Sequence, residues 1–168
     1  MRVELRPWRD DDLDLLYRTV GDPAMMTHLG GPEDEEQIQR RHRMLLSVAA
    51  LGEGEAFTIR TGPEATAAGT IGYWDSDWAG GDVYETGWMV VPEFAGRGLA
   101  TAAAGLVIER ARRAGKHRFL HAFPAVDNAA SNAVCRKAGF TNLGPCEIEY
   151  PRGSMMQAIC WRLDLTRA

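Results

Sequence analysis

The chain has 168 residues, a formal net charge of −4, three cysteines and four histidines, and a pI near 5.6. Its length predicts one domain over residues 1–168, large enough to bury roughly 70% of its unfolded surface. The acidic balance argues against nucleic acid as a partner, and cysteines and histidines without ligand spacing argue against a disulfide framework and a metal centre. The opening MRVELRPWRDDD lacks an apolar signal core, and no stretch approaches the roughly 20 apolar residues that span a bilayer, so a soluble, cytoplasmic protein without a membrane partner is expected.

Residues 3–7 alternate and then meet Pro7, as a short edge strand does. Asp10, Asp11 and Asp12 offer caps and first-turn charge to a helix carrying Leu13, Leu15, Leu16 and Tyr17, which Gly21, Asp22 and Pro23 end. A connector rich in methionine and glycine, Ala24 to Pro32, leads to a second helix from about Glu33 with Ile38, Met44, Leu45 and Val48. The acidic run Glu33 to Glu36 reads as first-turn charge or as an acidic lip toward an amine. Residues 56–59 and 69–74 are strands joined by a Gly-Pro turn, and a glycine-rich loop, Ser76 to Asp82, leads to a longer strand, Val83 to Val91.

A helix with Leu99, Ala103, Leu106, Val107 and Ala111 at three-four spacing then runs to Gly115 as its left-handed stop. A strand from Arg118 to Phe123, a helix from Ser131 to Ala138 closed by Gly139, and two strands around residues 151–154 complete the chain. The order β-α-α-β-β-β-α-β-α-β-β predicts an α/β fold. Its central sheet is mixed and mainly antiparallel, helices cover both faces, and one parallel pair arises where a helix crosses between the central strands.

The stretch Val90 to Ala104 (VVPEFAGRGLATAAA) carries the chemistry. An apolar strand meets a turn with glycines at 96 and 98 and runs directly into a helix, so successive peptide N–H groups and the positive end of the helix dipole share one concavity. The expected guest is a phosphate or pyrophosphate. Here the chain resembles the GNAT superfamily of acetyl-CoA-dependent N-acetyltransferases, whose pyrophosphate loop reads Q/R-x-x-G-x-G/A. Gly98 and Ala100 match, while Ala95 stands where Gln or Arg is usual, so one side-chain contact to CoA is missing or supplied by Arg97. A second block, VDNAASNAVCRKAGF from Val126, is similar to the family's later motif at Asn128, Ser131, Lys137, Gly139 and Phe140.

The resemblance implies the GNAT fold, in which the parallel pair splays and the pantetheine arm of acetyl-CoA lies in the gap, with no metal. It implies contacts to the cofactor from the strand backbone at Met89, Val90 and Val91, from loop residues Gly96, Arg97, Gly98, Leu99, Ala100 and Thr101, and from Asn128, Ser131 and Asn132. A homodimer, common in the family, is one oligomeric option. The segment Tyr84 to Pro92 is further similar to the E-x-G-Y-W pattern of the ribosomal-protein N-terminal acetyltransferase branch, the RimJ/RimL type, in which this glutamate faces the acetyl group.

Moving an acetyl group from a thioester to an amine requires a neutral amine, a stabilised oxyanion and departure of a thiolate. At pH 7 a lysine amine is only about 0.04% neutral and an α-amine roughly 14%, so an α-amine needs only a modest base. Glu85, a carboxylate in an apolar strand beside Trp88 and Met89, has the raised pKa that suits a base, or else is a cap-bonded glutamate. Glu149 is the second candidate, and a water chain the third. The thiolate, with a pKa near 8.5, needs little protonation. Cys135, where many family members have tyrosine, either donates that proton or lines the cleft.

Asn128 and Ser131 have an alternative reading as cap and first turn of their helix, and His121 one as a hydrogen-bonded core residue. Trp74, Trp78 and Trp88 fill the core or, with Met25, Met26 and His28, form an apolar acceptor pocket. The acceptor is a protein N-terminus or a small amine such as an aminoglycoside, polyamine or amino-acid derivative. An acyl-CoA-binding module without catalysis is the reading from a different class.

Overall fold

The computed structural model describes residues 2–168. Strand β1 (Val3–Pro7) pairs antiparallel with β2 (Gly54–Thr61) and forms one edge of a seven-stranded sheet. Its proline sits at the last paired position, Pro7 opposite Phe57, where a missing N–H costs least. A 3-10 turn, Asp10–Asp12, leads into α1 (Leu13–Tyr17). Asp12 does not cap α1. It is buried, accepts from Arg6, from Arg60 at 3.0 Å and from the Arg9 amide at 2.8 Å, and so ties β1 and β2 to the turn before the helix.

Helix α2 (Glu35–Ser47) starts at Asp34, whose carboxylate accepts from the Gln37 amide at 2.9 Å while the Gln37 side chain accepts from the Asp34 amide at 2.8 Å. Glu35 and Glu36 supply the first-turn charge that the acidic run predicted. Glu33, just outside, pairs with Arg41. Met44, expected on the apolar face, is 51% exposed, whereas Ile38 and Val48 are buried.

The segment from Ser76 to Asp82, expected as a loop, is the tip of a hairpin. Strand β3 (Thr66–Trp78) and β4 (Gly81–Val90) stay in register out to Trp78 opposite Gly81. The two turn residues, Ala79 and Gly80, have φ of 52° and 80°, the left-handed pair that a two-residue hairpin needs. Alanine rarely adopts that conformation, so Gly80 and Gly81 mark a break here without marking a two-residue turn.

Helix α3 (Leu99–Ala114) ends on Gly115 at φ 64° and crosses to β5 (Phe119–Ala122), which lies parallel to β4. Helix α4 (Ala129–Lys137), β6 (Thr141–Glu149) and β7 (Met155–Asp164) follow, giving the sheet order β1-β2-β3-β4-β5-β7-β6. Apart from the parallel pair, every pairing is antiparallel.

Alternation along the strands divides the core. Phe57, Ile59, Ile71, Tyr73, Tyr84 and Leu120 pack with Ala103, Ala104, Val107, Ile108 and Ala111 of α3, whose small residues let the helix lie close on the sheet. Leu106 turns outward, 41% exposed, contrary to its expected place in that stripe. The opposite face holds a second core of Trp8, Leu15, Leu16, Met26, Ile38 and Val91, against which Trp74 and Met89 pack. Trp88 belongs to the α3 side.

Strands β4 and β5 pair only at Tyr84 with Leu120 and Glu85 with His121, so β4 from Thr86 onward has no partner on that flank. The parallel pair is thus splayed, and the gap opens toward the loop that precedes α3.

Candidate active site

The loop at the head of the gap is built as its glycines demand. Pro92–Phe94 form a short 3-10 turn, and Gly96 and Gly98 adopt φ of 74° and 77°. Gly98 is the N-cap of α3, and no side chain caps that helix. A Cβ placed at either glycine would meet nothing within 4 Å, so glycine is needed for the backbone conformation, and open space lies in front of it. An uncapped helix start behind a left-handed turn, with room before it, leaves first-turn N–H groups free for a diphosphate. Of the residues assigned to the loop, Leu99 is buried and anchors it, while Gly96, Arg97 and Gly98 are exposed and Ala100 and Thr101 half-buried. Arg97 donates to the Glu93 carbonyl at 2.8 Å and lies over the Phe94 ring at 5.3 Å, so reaching a phosphate requires giving up both contacts.

On β4 the Val91 amide donates to Ala68 at 2.9 Å and is therefore occupied, which removes it as an oxyanion donor. Antiparallel alternation places Met89 in the same orientation and turns the Val90 amide toward the open flank. Of the three, only the Val90 amide is directed to the gap.

Glu85 stands at the last paired position before the strands part, half-buried. Burial raises its pKa above the usual carboxylate range, while hydrogen bonds from Trp74 and Ser76 oppose that rise. The Trp74 indole donates to Oε2 at 3.2 Å. Glu85 forms no ion pair among the described residues.

The other catalytic candidates lie elsewhere. Glu149 is exposed at the end of β6 and accepts from the Gly153 amide at 2.8 Å, holding the β6–β7 turn. Three strand spacings, about 14 Å, separate its strand from β4. Cys135 has no exposed surface and sits in the α3-side core, where burial pushes its thiol up to about 12. A small apolar group on the sheet-facing side of α4 fills that place, and it has no path to a leaving thiolate.

In the second sequence block, Asn128 caps α4 by accepting from the Ser131 amide at 3.1 Å. Asn132 is buried. It donates to the Ala125 and Asn128 carbonyls at 3.0 and 2.8 Å and accepts from the Trp161 indole at 2.8 Å. Asn132 thus holds α4 against β7 while Asn128 caps the helix, and the Asn132 side chain is fully engaged within the protein. Ser131 is half-buried at the first turn of the same helix. Asn132→Ala should cost about 2–3 kcal/mol of stability, read by denaturant unfolding, because it strands the buried Trp161 donor and two carbonyls. Affinity for CoA in the folded variant should stay within a few-fold of the parent.

His121, in register with Glu85, is 3% exposed, with Nδ1 3.5 Å from the Cys160 sulfur. Burial and the nearby Arg162 charge lower its pKa to about 4, so it is neutral at pH 7, as a core histidine is. Its folded pKa lies below the unfolded value of about 6.5, so the unfolded chain takes up the proton first. Stability should fall by up to about 3 kcal/mol as pH drops from about 6.5 to about 4. His121→Gln should flatten that part of the curve in thermal or denaturant unfolding. The ring stacks on Phe123, with centroids 5.6 Å apart, and Trp78 packs on Phe123 at 4.7 Å. Trp78, His121 and Phe123 line the same face as Glu85, an aromatic wall drawn from the end of β3 and from the stretch at β5.

The connector between α1 and α2 closes the other side. His28 meets Asp127 at 3.0 Å, Gly30 lies against the Pro151 ring, and Arg41 donates to the Tyr150 hydroxyl at 3.3 Å. Met26 is a core residue at 1% exposure and takes no part in an acceptor pocket. The bridge from connector to the β5–α4 loop and the β6–β7 turn joins residues about 100 positions apart, and only the fold reveals it. Among the described residues, no group of three or more His, Cys, Asp or Glu side chains could hold a metal ion, and no helix is long and apolar enough to cross a membrane.

Residues 2–141 match the family model described as an acetyltransferase (GNAT) domain. Among solved structures, the chain is similar to a ribosomal-protein-S5-alanine acetyltransferase from Vibrio fischeri, with a TM-score of 0.77 and 15% identity over 98% of this chain and 93% of that one. It is similar to a spermidine N-acetyltransferase from Vibrio cholerae, determined with CoA and spermine, with a TM-score of 0.78 and 13% identity over 98% and 96%. An aminoglycoside acetyltransferase in complex with coenzyme A gives a TM-score of 0.76 and 16% identity over 97% and 95%.

Proposed function

The chain belongs to the GNAT acetyltransferase family and is an acetyl-CoA-dependent N-acetyltransferase; we propose that its acceptor is the α-amine of a peptide or protein N-terminus, deprotonated by Glu85. The observation that carries this reading is Glu85 itself, a half-buried carboxylate with raised pKa and without a cationic partner, at the point where β4 and β5 part. Such a group takes a proton from an incoming ammonium more readily than an ordinary carboxylate. An α-amine, roughly 14% neutral at pH 7, demands no stronger base.

Each remaining step falls to a group in place. The loop amides from Gly96 to Thr101 hold the pyrophosphate, and Ser131 is available to the pantetheine arm. The amine attacks the thioester carbonyl directly, without an acyl-enzyme, and the Val90 amide donates to the oxyanion that develops. The departing thiolate, with a pKa near 8.5, leaves without a protein acid.

The apolar surface on the acceptor side supports a peptide end: Trp78 and Phe123 pack on each other at 4.7 Å and offer apolar area to a side chain of the peptide, which a polyamine or aminoglycoside would not use. The test is a panel of peptides with free N-termini, polyamines and aminoglycosides, read by release of free CoA thiol. Peptides should be turned over with kcat/KM at least tenfold above any polyamine or aminoglycoside. A preference for the small amines would reverse the assignment of the acceptor while leaving the role of Glu85 standing.

A further inference from the structure

Arg118, Phe119, Arg162 and Arg167 line a cleft of about 460 Å³ where β5 starts and β7 finishes. Because β5 is parallel to β4, this is the end of the sheet opposite the phosphate loop. Arg112, also in the wall, is spent: it donates to the Leu165 and Arg167 carbonyls at 3.2 and 2.8 Å and pairs with Glu109. The remaining three arginines face one carboxylate side chain, Asp164, which takes Arg118 at 2.9 Å and has Arg167 at 3.6 Å. Arg162 forms no ion pair among the described residues. Its guanidinium lies over Phe119 at 4.4 Å, with that of Arg118 over the same ring at 4.9 Å.

Contact with a ring does not consume the N–H groups of a guanidinium, and a free fork of that kind grips a phosphate oxygen pair. Three arginines against the Asp164 side chain, with the Ala168 backbone carboxyl also in the wall, leave the cleft positive in a chain whose net charge is −4. A phosphate monoester, with a charge of about −1.5 to −2 at pH 7, is attracted by that surplus. The volume falls within the range of about 300–1,000 Å³ typical of small-molecule sites, and the acidic chain as a whole repels a nucleic-acid backbone.

We propose that this cleft binds the phosphate group of a small phosphorylated molecule, gripped by the free fork of Arg162 and by Nη1 of Arg118, whose Nε and Nη2 donate to Asp164. The site is separate from the acetyl-transfer site and does not depend on the acceptor assigned above. The test is calorimetric titration of the full chain saturated with CoA, which keeps the phosphate loop filled. Inorganic phosphate, a nucleoside 5′-monophosphate and a short single-stranded RNA serve as probes. The monophosphate should bind once per chain, Arg162→Gln should weaken it about tenfold or more, and Arg162→Lys should fall between, since it keeps the charge and loses the fork. Arg162 lies close enough to depress the His121 pKa, so binding should also raise the His121 titration midpoint measured by NMR in the unmodified protein. No binding by either small phosphate, binding unchanged in Arg162→Gln with a fixed His121 midpoint, or binding by the RNA alone would each overturn the proposal.

Discussion

Glu85→Gln is expected to lower kcat/KM by about 10²–10⁴ at neutral pH while leaving acetyl-CoA affinity nearly intact. Glutamine keeps an oxygen for the Trp74 indole, which donates to Glu85 at 3.2 Å, so the strand and its neighbour should hold their places. What is lost is the capacity to accept a proton. The deficit should therefore shrink as pH rises toward the pKa of the acceptor amine, where free amine no longer needs a base. On the acid side, kcat/KM of the parent enzyme should fall with a midpoint above the ordinary glutamate value of about 4.3, because burial raises the Glu85 pKa, and that limb should vanish in the variant. Steady-state rates across pH 5 to 9 decide it. A defect of constant size at every pH would assign Glu85 to acceptor binding, and an unchanged rate would pass the deprotonation to water, since Glu149 is held by its turn.

How far the sequence carried depends on whether a residue's role is local. Gly96 and Gly98 announce themselves because glycine in a strand-to-helix turn has few other uses, and both adopt positive φ. Glu85 stands out as a charge among apolar strand residues, and β-α-β order around α3 implies a parallel pair. The second block misleads for the opposite reason. Asn132 has the polarity of a ligand contact, yet its partner is Trp161, 29 residues on, and nothing near Asn132 in the chain points to that indole. Cys135 and Glu149 fail in the same way, one because the depth of a helix face depends on what it packs against, the other because a turn four residues on claims its carboxylate. The splay of β4 and β5 leaves no compositional trace at all. It is an absence of pairing after Glu85 and His121, and only register can show it.

Gly98→Val should cost about 10²–10⁴ in acetyl-CoA affinity with α3 still folded. Gly98 has φ 77°, a region that costs a residue bearing Cβ roughly 1–2 kcal/mol, and more for a branched one. Nothing of the protein lies within 4 Å of the added Cβ, so the strain is relieved by rotating the loop rather than by disturbing the core. Rotation turns the Gly98 and Leu99 amides out of the shared concavity, and the valine methyls then occupy the space the diphosphate needs. Losing two hydrogen bonds to a charged group, at about 1.5–3 kcal/mol each, gives the stated range. Gly105, exposed in the middle of α3 with open space around it, is the control. Gly105→Ala should stabilise the protein by about 0.5–1 kcal/mol through helix propensity and leave the affinity alone. Calorimetry with acetyl-CoA, alongside circular dichroism for helix content, separates the outcomes: an unaltered affinity in a folded Gly98→Val protein would remove the loop from the cofactor site.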